Sequence, residues 1–442
     1  MKSHKNHSLR PYLLLLSTQS LSGLGTAMTG YALVLWLYRQ SGSALETALL
    51  SVCSYAPYVL MSIFAGALSD RWNKKRTMLV CDLLAAASTL GVLFMLKNGL
   101  LQPWHMYILN GVNGLMNTVQ QPAGDVAATL LVPKEYYQKT SGLRSFASSL
   151  NTILHPVLAS ALFAFAGMDL VIAVDLSTFA IAFVTLLFFI PVPETVLEGK
   201  PKEKLLEAAK AGLKWLRANP LIFDLIFFLA AINLIASAYQ AALPAMLLSR
   251  ERGGETVLGL VNTVTGVATL AGGALAALLP RPKDRVRVIC YSLMVSMGTE
   301  NFLLAFGRTP LVWCVGAVLG WVAIPLMNAN MDVVFRSTIP AQMQGRVYSC
   351  RNTLQFFTIP VGYLLGGLLV DRVFEPLMKV APPEGLLTSL FGQGKGAGAA
   401  ALFFVLGLAG VLVCLVFYKI LRKFRWADPQ EKEGESAGLN GE

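Results

Sequence analysis

Apolar runs long enough to cross a lipid bilayer recur along almost the whole chain. A span needs about 20 apolar residues. That ruler gives twelve stretches, roughly 12–38, 44–68, 77–97, 103–131, 140–166, 169–190, 220–249, 255–280, 286–307, 311–338, 346–370 and 397–421. In hydrocarbon every backbone amide must be satisfied within the protein, so runs of this length read as helices. Of 442 residues, 55% are hydrophobic and only 14% charged. A soluble domain carries roughly 25% charged residues. The fold class is therefore an all-α polytopic membrane protein, with the lipid bilayer as its first partner. Pro11 to Tyr38 is longer than a signal-peptide core and lacks a small-x-small cleavage site, so it reads as a retained first span.

The net charge of +11 does not point to nucleic acid, because the bases are scattered over short loops rather than gathered on one face. They work as topology signals. With the N-terminus inside, the inner segments hold Lys2, Lys5 and Arg10, then Arg71 to Arg76, Lys134 to Arg144, Lys200 to Arg217, Arg281 to Arg287, Arg336 to Arg351, and Lys419 to Lys432. The outer side keeps only Arg39, Lys97, Arg250, Arg252, Arg308, Arg372, Lys379 and Lys395. Both termini are expected in the cytoplasm.

The charged connection between spans 6 and 7 divides the chain. We expect a six-helix bundle over 1–190, a cytoplasmic linker over 191–219, a second six-helix bundle over 220–425 and a disordered tail over 426–442. Leu206, Ala209, Leu213 and Leu216 fall on one face of a helix in the linker, which suits a helix lying on the cytoplasmic membrane surface. The six cysteines sit in or near spans with no C-x-x-C pair, so they read as small hydrophobes. No metal site and no cofactor is expected. The halves also echo each other. An offset of 207 carries Asp125 onto Asp332, Pro133 onto Pro340 and Arg144 onto Arg351. Repeats of this kind are common in transporters, and they make the two bundles pseudo-symmetric.

Ionisable groups inside a membrane usually face a partner or a water-filled cavity. Glu300 is the deepest, and Asp125 and Asp332 lie nearer the inner ends of spans 4 and 10; these three are the proton-coupling candidates. A carboxylate in a low-dielectric site is pushed toward neutrality, as a proton-exchanging group requires. The pairs Asp125/Arg144 and Asp332/Arg351 read either as a cytoplasmic gate or as static buried pairs. Polar side chains recur at helical spacing in four spans: Gln19, Ser22 and Thr26; Asn113, Asn117 and Gln121; Asn233, Ser237 and Gln240; and Asn328. They read as the lining of a cavity or as polar contacts between helices. His155 beside Pro156 reads as a packing or helix-break residue.

Between spans 2 and 3 lies Gly66-Ala67-Leu68-Ser69-Asp70-Arg71-Trp72-Asn73-Lys74-Lys75-Arg76. The pattern G-x-L-x-D-R-x-x-K-K-R resembles the loop between helices 2 and 3 of the major facilitator superfamily. A shorter echo, Gly367-Leu368-Leu369-Val370-Asp371-Arg372, closes span 11. Together with Gln19, Asp82, Val132-Pro133-Lys134-Glu135, Ile339-Pro340, Gly345-Arg346-Val347 and Val373 to Met378, the loop is similar to the macrolide-efflux branch of bacterial drug:proton antiporters. Enterobactin-exporter-like proteins are also similar.

The resemblance implies a major facilitator fold in a bacterial inner membrane, with spans 1, 4, 7 and 10 around a cavity. It implies a conformational switch loop at Gly66, Asp70, Arg71, Lys74, Lys75 and Arg76, with Asp70 near Gly345 and Arg346 at the start of span 11. The expected activity is export of a small amphipathic solute, macrolide-like drugs first, by alternating access in exchange for protons. A functional monomer is expected. The same fold also suits a siderophore, lipid or metabolite exporter, and less readily a sensor or a subunit of an ATP-driven exporter. Asn73 departs from the glycine usual in the loop, and span 5 lacks the Gly-Pro-x-x-Gly-Gly run of many antiporters. No nucleotide-binding or hydrolase motif is present, so no enzyme is expected.

Overall fold

The computed structural model describes residues 9–133, 136–193, 205–280, 282–340 and 343–424. Helices dominate it, and there is no strand among the described residues. The first half holds α1 (Arg10–Ser41), α2 (Ala44–Arg71), α3 (Lys74–Lys97), α4 (Pro103–Leu131) and α5 (Tyr137–Val184), with a π-helical turn over Thr185–Phe189. A linker helix, α6 (Leu205–Ala218), follows. The second half holds α7 (Pro220–Ser249), α8 (Glu255–Leu278), α9 (Arg285–Phe306), α10 (Pro310–Trp321), α11 (Ile324–Thr338), α12 (Gln344–Phe356), α13 (Thr358–Leu369), α14 (Glu375–Val380), α15 (Leu386–Phe391) and α16 (Ala397–Leu421).

Local chemistry sets many of these boundaries. Prolines stand in the first turns of α4, α7 and α10, where a missing N–H costs nothing. Ser43 and Asn73 cap α2 and α3 by accepting from Glu46 N–H at 3.1 Å and Arg76 N–H at 3.0 Å. That cap is a physical reason for asparagine where the loop pattern has glycine. Pro325 and Pro360 lack the N–H groups that would bond the carbonyls of Trp321 and Phe356, and the helical runs of spans 10 and 11 break there.

By length and composition, ten helices among the described residues can cross a membrane. One of them, Gly142–Phe189, is twice the length required at 48 residues. It breaks at Gly167, where φ 71° and ψ −161° are open only to glycine. This break falls in the gap between spans 5 and 6. At 29 residues α4 is long enough, but its asparagines and glutamines make it more polar than the ten. Twelve helical stretches thus occupy the twelve expected runs. Phe165, Phe188, Leu278 and Leu311 point outward and are each largely exposed. Such apolar surface is what a lipid-facing protein presents.

Arg10 and Leu421 lie at one end of the bundle, called the near end below; the turns after α1, α3 and α7 lie at the far end. The halves meet chiefly where α2 crosses α13 and α5 crosses α8. Gly362 and Gly366 of α13 face the backbone of Leu234 and Ala238 on α7, so the G-x-x-x-G is a close helix crossing. The linker helix adds a contact to the expectation. Besides any contact with a membrane surface, α6 docks on the near end of α12, with Gly212 against the Arg346 carbonyl and Leu216 fully buried. Its apolar face found a protein neighbour, and Lys210, Lys214 and Arg217 stay exposed.

Candidate functional site

A cavity of about 510 Å³ lies between the halves. Tyr31, Ser51, Tyr55 and His155 line it from the first half, and Gln240, Asn262, Trp321 and Tyr363 from the second. His155 keeps a local bond to the Asn151 carbonyl at 2.9 Å and stands edge-on to Tyr31. Just beyond the cavity, three contacts join the halves at the far end. Tyr38 OH donates to the Ala245 carbonyl at 3.0 Å and shares a 2.6 Å bond with Ser249 Oγ. Arg39 pairs with Glu255. Asp371 accepts from Ser43 Oγ at 2.5 Å, Ala44 N–H at 3.0 Å and Leu45 N–H at 2.9 Å.

The polar faces of spans 1 and 4 turn mainly into the first half, and only Gln19 and Gln121 reach a cavity of about 470 Å³ that adjoins the inter-half one at Thr152 and His155. Gln19, Ser22, Thr26, Asn113, Asn117 and Gln121 surround a pocket of about 310 Å³ inside the first half. The reason is a pair of buried carboxylates that need donors. Asp82 accepts from Gln19 Nε2 at 3.2 Å and from Gln120 Nε2 at 2.5 Å. Asp175 accepts from Thr26 at 3.2 Å, Thr29 at 2.8 Å and Thr89 at 3.5 Å. Both acids were visible in the sequence as charges within spans, and neither was among the selected candidates. The threonine spacing on α1, 26 and 29, was the available signal for Asp175.

The second half has its own pocket, of about 240 Å³, lined by Glu300, Asn233, Asn328, Asp332 and Arg351. Glu300 is 3% exposed and accepts at Oε1 from Tyr239 OH at 2.5 Å and Trp321 Nε1 at 2.8 Å. Ser237 is not in a pocket: its side chain packs under Gly362 at the α7–α13 crossing. The polar stripe on span 7 therefore splits three ways, Asn233 inward, Ser237 into packing and Gln240 into the inter-half cavity.

The two related ion pairs also part company. Arg144 pairs with Asp125, but their side chains are 50% and 48% exposed, so the pair is at a surface and not buried. Asp332 and Arg351 share a pocket without pairing. Arg351 donates to Gln355 Oε1 at 3.0 Å and lies 4.4 Å over the Phe335 ring, while Asp332 stands 4.0 Å from Arg336. Gln355 sits one helical turn from Arg351 and captures it first.

In the switch loop, the side chains of residues 62–71, Asp70 and Arg71 among them, lie outside the described residues, and Gly66 falls in the same stretch. Lys74 is buried and donates to the Trp72 carbonyl at 3.1 Å. Lys75 donates to the carbonyls of Leu187 and Ile190, both at 3.0 Å, satisfying acceptors at the end of span 6. Arg76, in the first turn of α3, gives its backbone N–H to the Asn73 cap. Among the described residues no three His, Cys, Asp or Glu side chains gather as a metal cluster.

The Major Facilitator Superfamily model matches residues 15–363. The chain belongs to the Major Facilitator Superfamily. Macrolide efflux protein A of Streptococcus pyogenes is 23% identical over 380 residues, covering 84% of this chain and 92% of that one. The enterobactin exporter EntS of Escherichia coli O1:K1 is 24% identical over 385 residues, covering 84% of this chain and 83% of its own. A bacterial homologue of the iron transporter ferroportin, solved in an inward-facing state, matches with a TM-score of 0.70 at 18% identity, over 95% of this chain and all of that one. Membership places the chain among multi-pass transporters of small molecules, with relatives that act in efflux. It makes the inter-half cavity the candidate passage.

Proposed function

We propose that this superfamily member is a secondary active exporter that moves a small amphipathic solute, most readily a macrolide-like drug, out of a bacterial cell in exchange for protons. The observation that carries the reading is the set of bonds that joins the halves beyond the cavity, from Tyr38, Arg39 and Asp371 at the far end. Two bundles, residues 1–190 and 220–425, would rock about that cavity with the 191–219 linker between them. The near end carries most of the bases, which supports a near end in the cytoplasm of an inner-membrane protein with both termini inside. The described state is then latched on the outward side. A single chain encloses the whole passage, which supports a monomer as the working unit.

The cavity suits an amphipathic guest, since its walls combine Tyr31, Tyr55, Trp321 and Tyr363 with the amides of Gln240 and Asn262. Protons would be carried on Glu300, the most buried of the three candidate acids, with Asp125 and Asp332 nearer the cytoplasmic surface. Expression in a drug-sensitised bacterium tests the reading. Macrolide accumulation should fall, and a protonophore should restore it. Unchanged accumulation of every macrolide tried would overturn the cargo. A siderophore as cargo is the second reading, favoured by the match to an enterobactin exporter, and secretion of a catechol siderophore by the same cells decides between them.

A further inference from the structure

The pocket inside the second half holds acceptors on Glu300 and Asn301 that no described donor reaches. It is walled by α7, α9, α10, α11 and α12 alone. Ser296 and Asn301 are each 1% exposed there. Asn301 uses its amide N–H on the Met297 carbonyl at 2.7 Å, and its Oδ1 is buried with no hydrogen-bond partner among the described residues. Asn233 likewise turns its amide nitrogen to the Gln355 carbonyl at 3.2 Å. Both donors to Glu300 converge on Oε1, and no described donor reaches Oε2.

Buried acceptors without donors call for a cation or a proton. A proton on Oε2 answers that oxygen and one more. A metal ion answers the same two and can also take lone pairs of Ser296 and Asn233 on the pocket wall. The ligand set is one carboxylate with neutral amide and hydroxyl oxygens, and it contains no His or Cys. Oxygen-only ligands select a hard cation over a transition metal. A single carboxylate balances a single positive charge. The cavity of about 240 Å³ leaves room for such an ion to keep some of its waters.

We propose that this pocket is a monovalent-cation site, taking sodium on Glu300, Asn301 and Ser296 with Asn233 close by, in competition with a proton on Glu300. Other titratable or charged groups facing the pocket are Tyr239 from α7, Asp332 from α11 and Arg351 from α12. α10 brings Trp321 and no charge. Arg351 is engaged by Gln355 and Phe335, and no cation is within ion-pair distance of Glu300 among the described residues. The proposal builds on Glu300 as the coupling acid, but it is tested by binding alone.

Purified full-length protein in detergent should bind ²²Na⁺ saturably. Unlabelled NaCl should displace it, choline chloride should not, and binding should weaken as pH falls. NaCl should also raise the melting temperature relative to choline chloride at equal ionic strength. E300Q should abolish the binding, and the smaller change S296A should weaken it several-fold, which keeps the test informative if E300Q fails to fold. Absence of saturable ²²Na⁺ binding to the wild-type protein at neutral and alkaline pH would overturn the site, as would equal displacement by choline. Export that persists in sodium-free buffer would leave the export reading standing in either case.

Discussion

The Ser43 hydroxyl donates to the Asp371 carboxylate at 2.5 Å, placing an acid of the second half on the first turn of a helix of the first. The N–H groups of Ala44 and Leu45 complete the contact at 3.0 and 2.9 Å. An anion at a helix N-terminus meets free donors and the positive end of the dipole. Gly367, one turn earlier, lets the backbone of Leu45 come close enough for this.

D371N removes the charge but keeps the shape. A loss of about 1–2 kcal/mol shifts a two-state equilibrium roughly five- to thirtyfold. The expected outcome is a larger far-end-open population. Spin labels at L100C and L386C in a cysteine-free background report it as a longer distance component; an unchanged distance distribution would show that Asp371 is not a latch.

Asp70 follows from the same geometry. Gly66-x-x-x-Asp70-Arg71 closes α2 as Gly367-x-x-x-Asp371-Arg372 closes span 11. If Asp371 holds the start of α2, then Asp70 is placed by the pseudo-symmetry to hold the start of α12 when the near end closes. D70N should impair export while membrane insertion and abundance stay normal, and it should favour the near-end-open state, opposite in sign to D371N. Full export by the variant would remove the switch role.

One substitution should have opposite effects at two glycines. A Cβ on Gly366 would lie 2.5 Å from the Ala238 carbonyl oxygen, so G366A forces α13 away from α7. Overpacking of this kind costs about 1–3 kcal/mol. Gly273 in α8 has nothing within 4 Å of an added Cβ, and G273A replaces a poor helix former by the best one. Melting of the purified proteins should fall for the first variant and hold or rise for the second.

The helices were legible because hydrocarbon leaves the backbone a single choice, and even the break at Gly167 fell in an expected gap. The destinations of the polar stripes were not. Helical spacing reports that Gln19, Ser22 and Thr26 share a face, but it does not report which neighbour that face meets. Here it met Asp82 and Asp175, and most of the stripe turned into a pocket within one half. Ser237 lay on the same stripe as Asn233 and Gln240, yet a glycine opposite it made it packing. An offset of 207 aligned the charged pairs in sequence, while Gln355 and Phe335, which have no part in that alignment, decided whether the second pair forms.

That last difference can be measured. Asp125 and Arg144 touch at a surface, where an ion pair contributes about 0.2–1 kcal/mol. Asp332 and Arg351 do not pair, but the carboxylate's charge reaches the guanidinium across their shared pocket, so their coupling should be weak in the described state. A double-mutant cycle over D125N and R144Q should return a measurable interaction that shrinks in high salt. The cycle over D332N and R351Q should return a weak interaction, with R351Q costing more alone because it also loses the Phe335 ring contact. Strong coupling in the second cycle would mean that the pair forms in another conformation of the transport cycle. In that case the coupling should disappear when the far-end latch is locked by a cross-link.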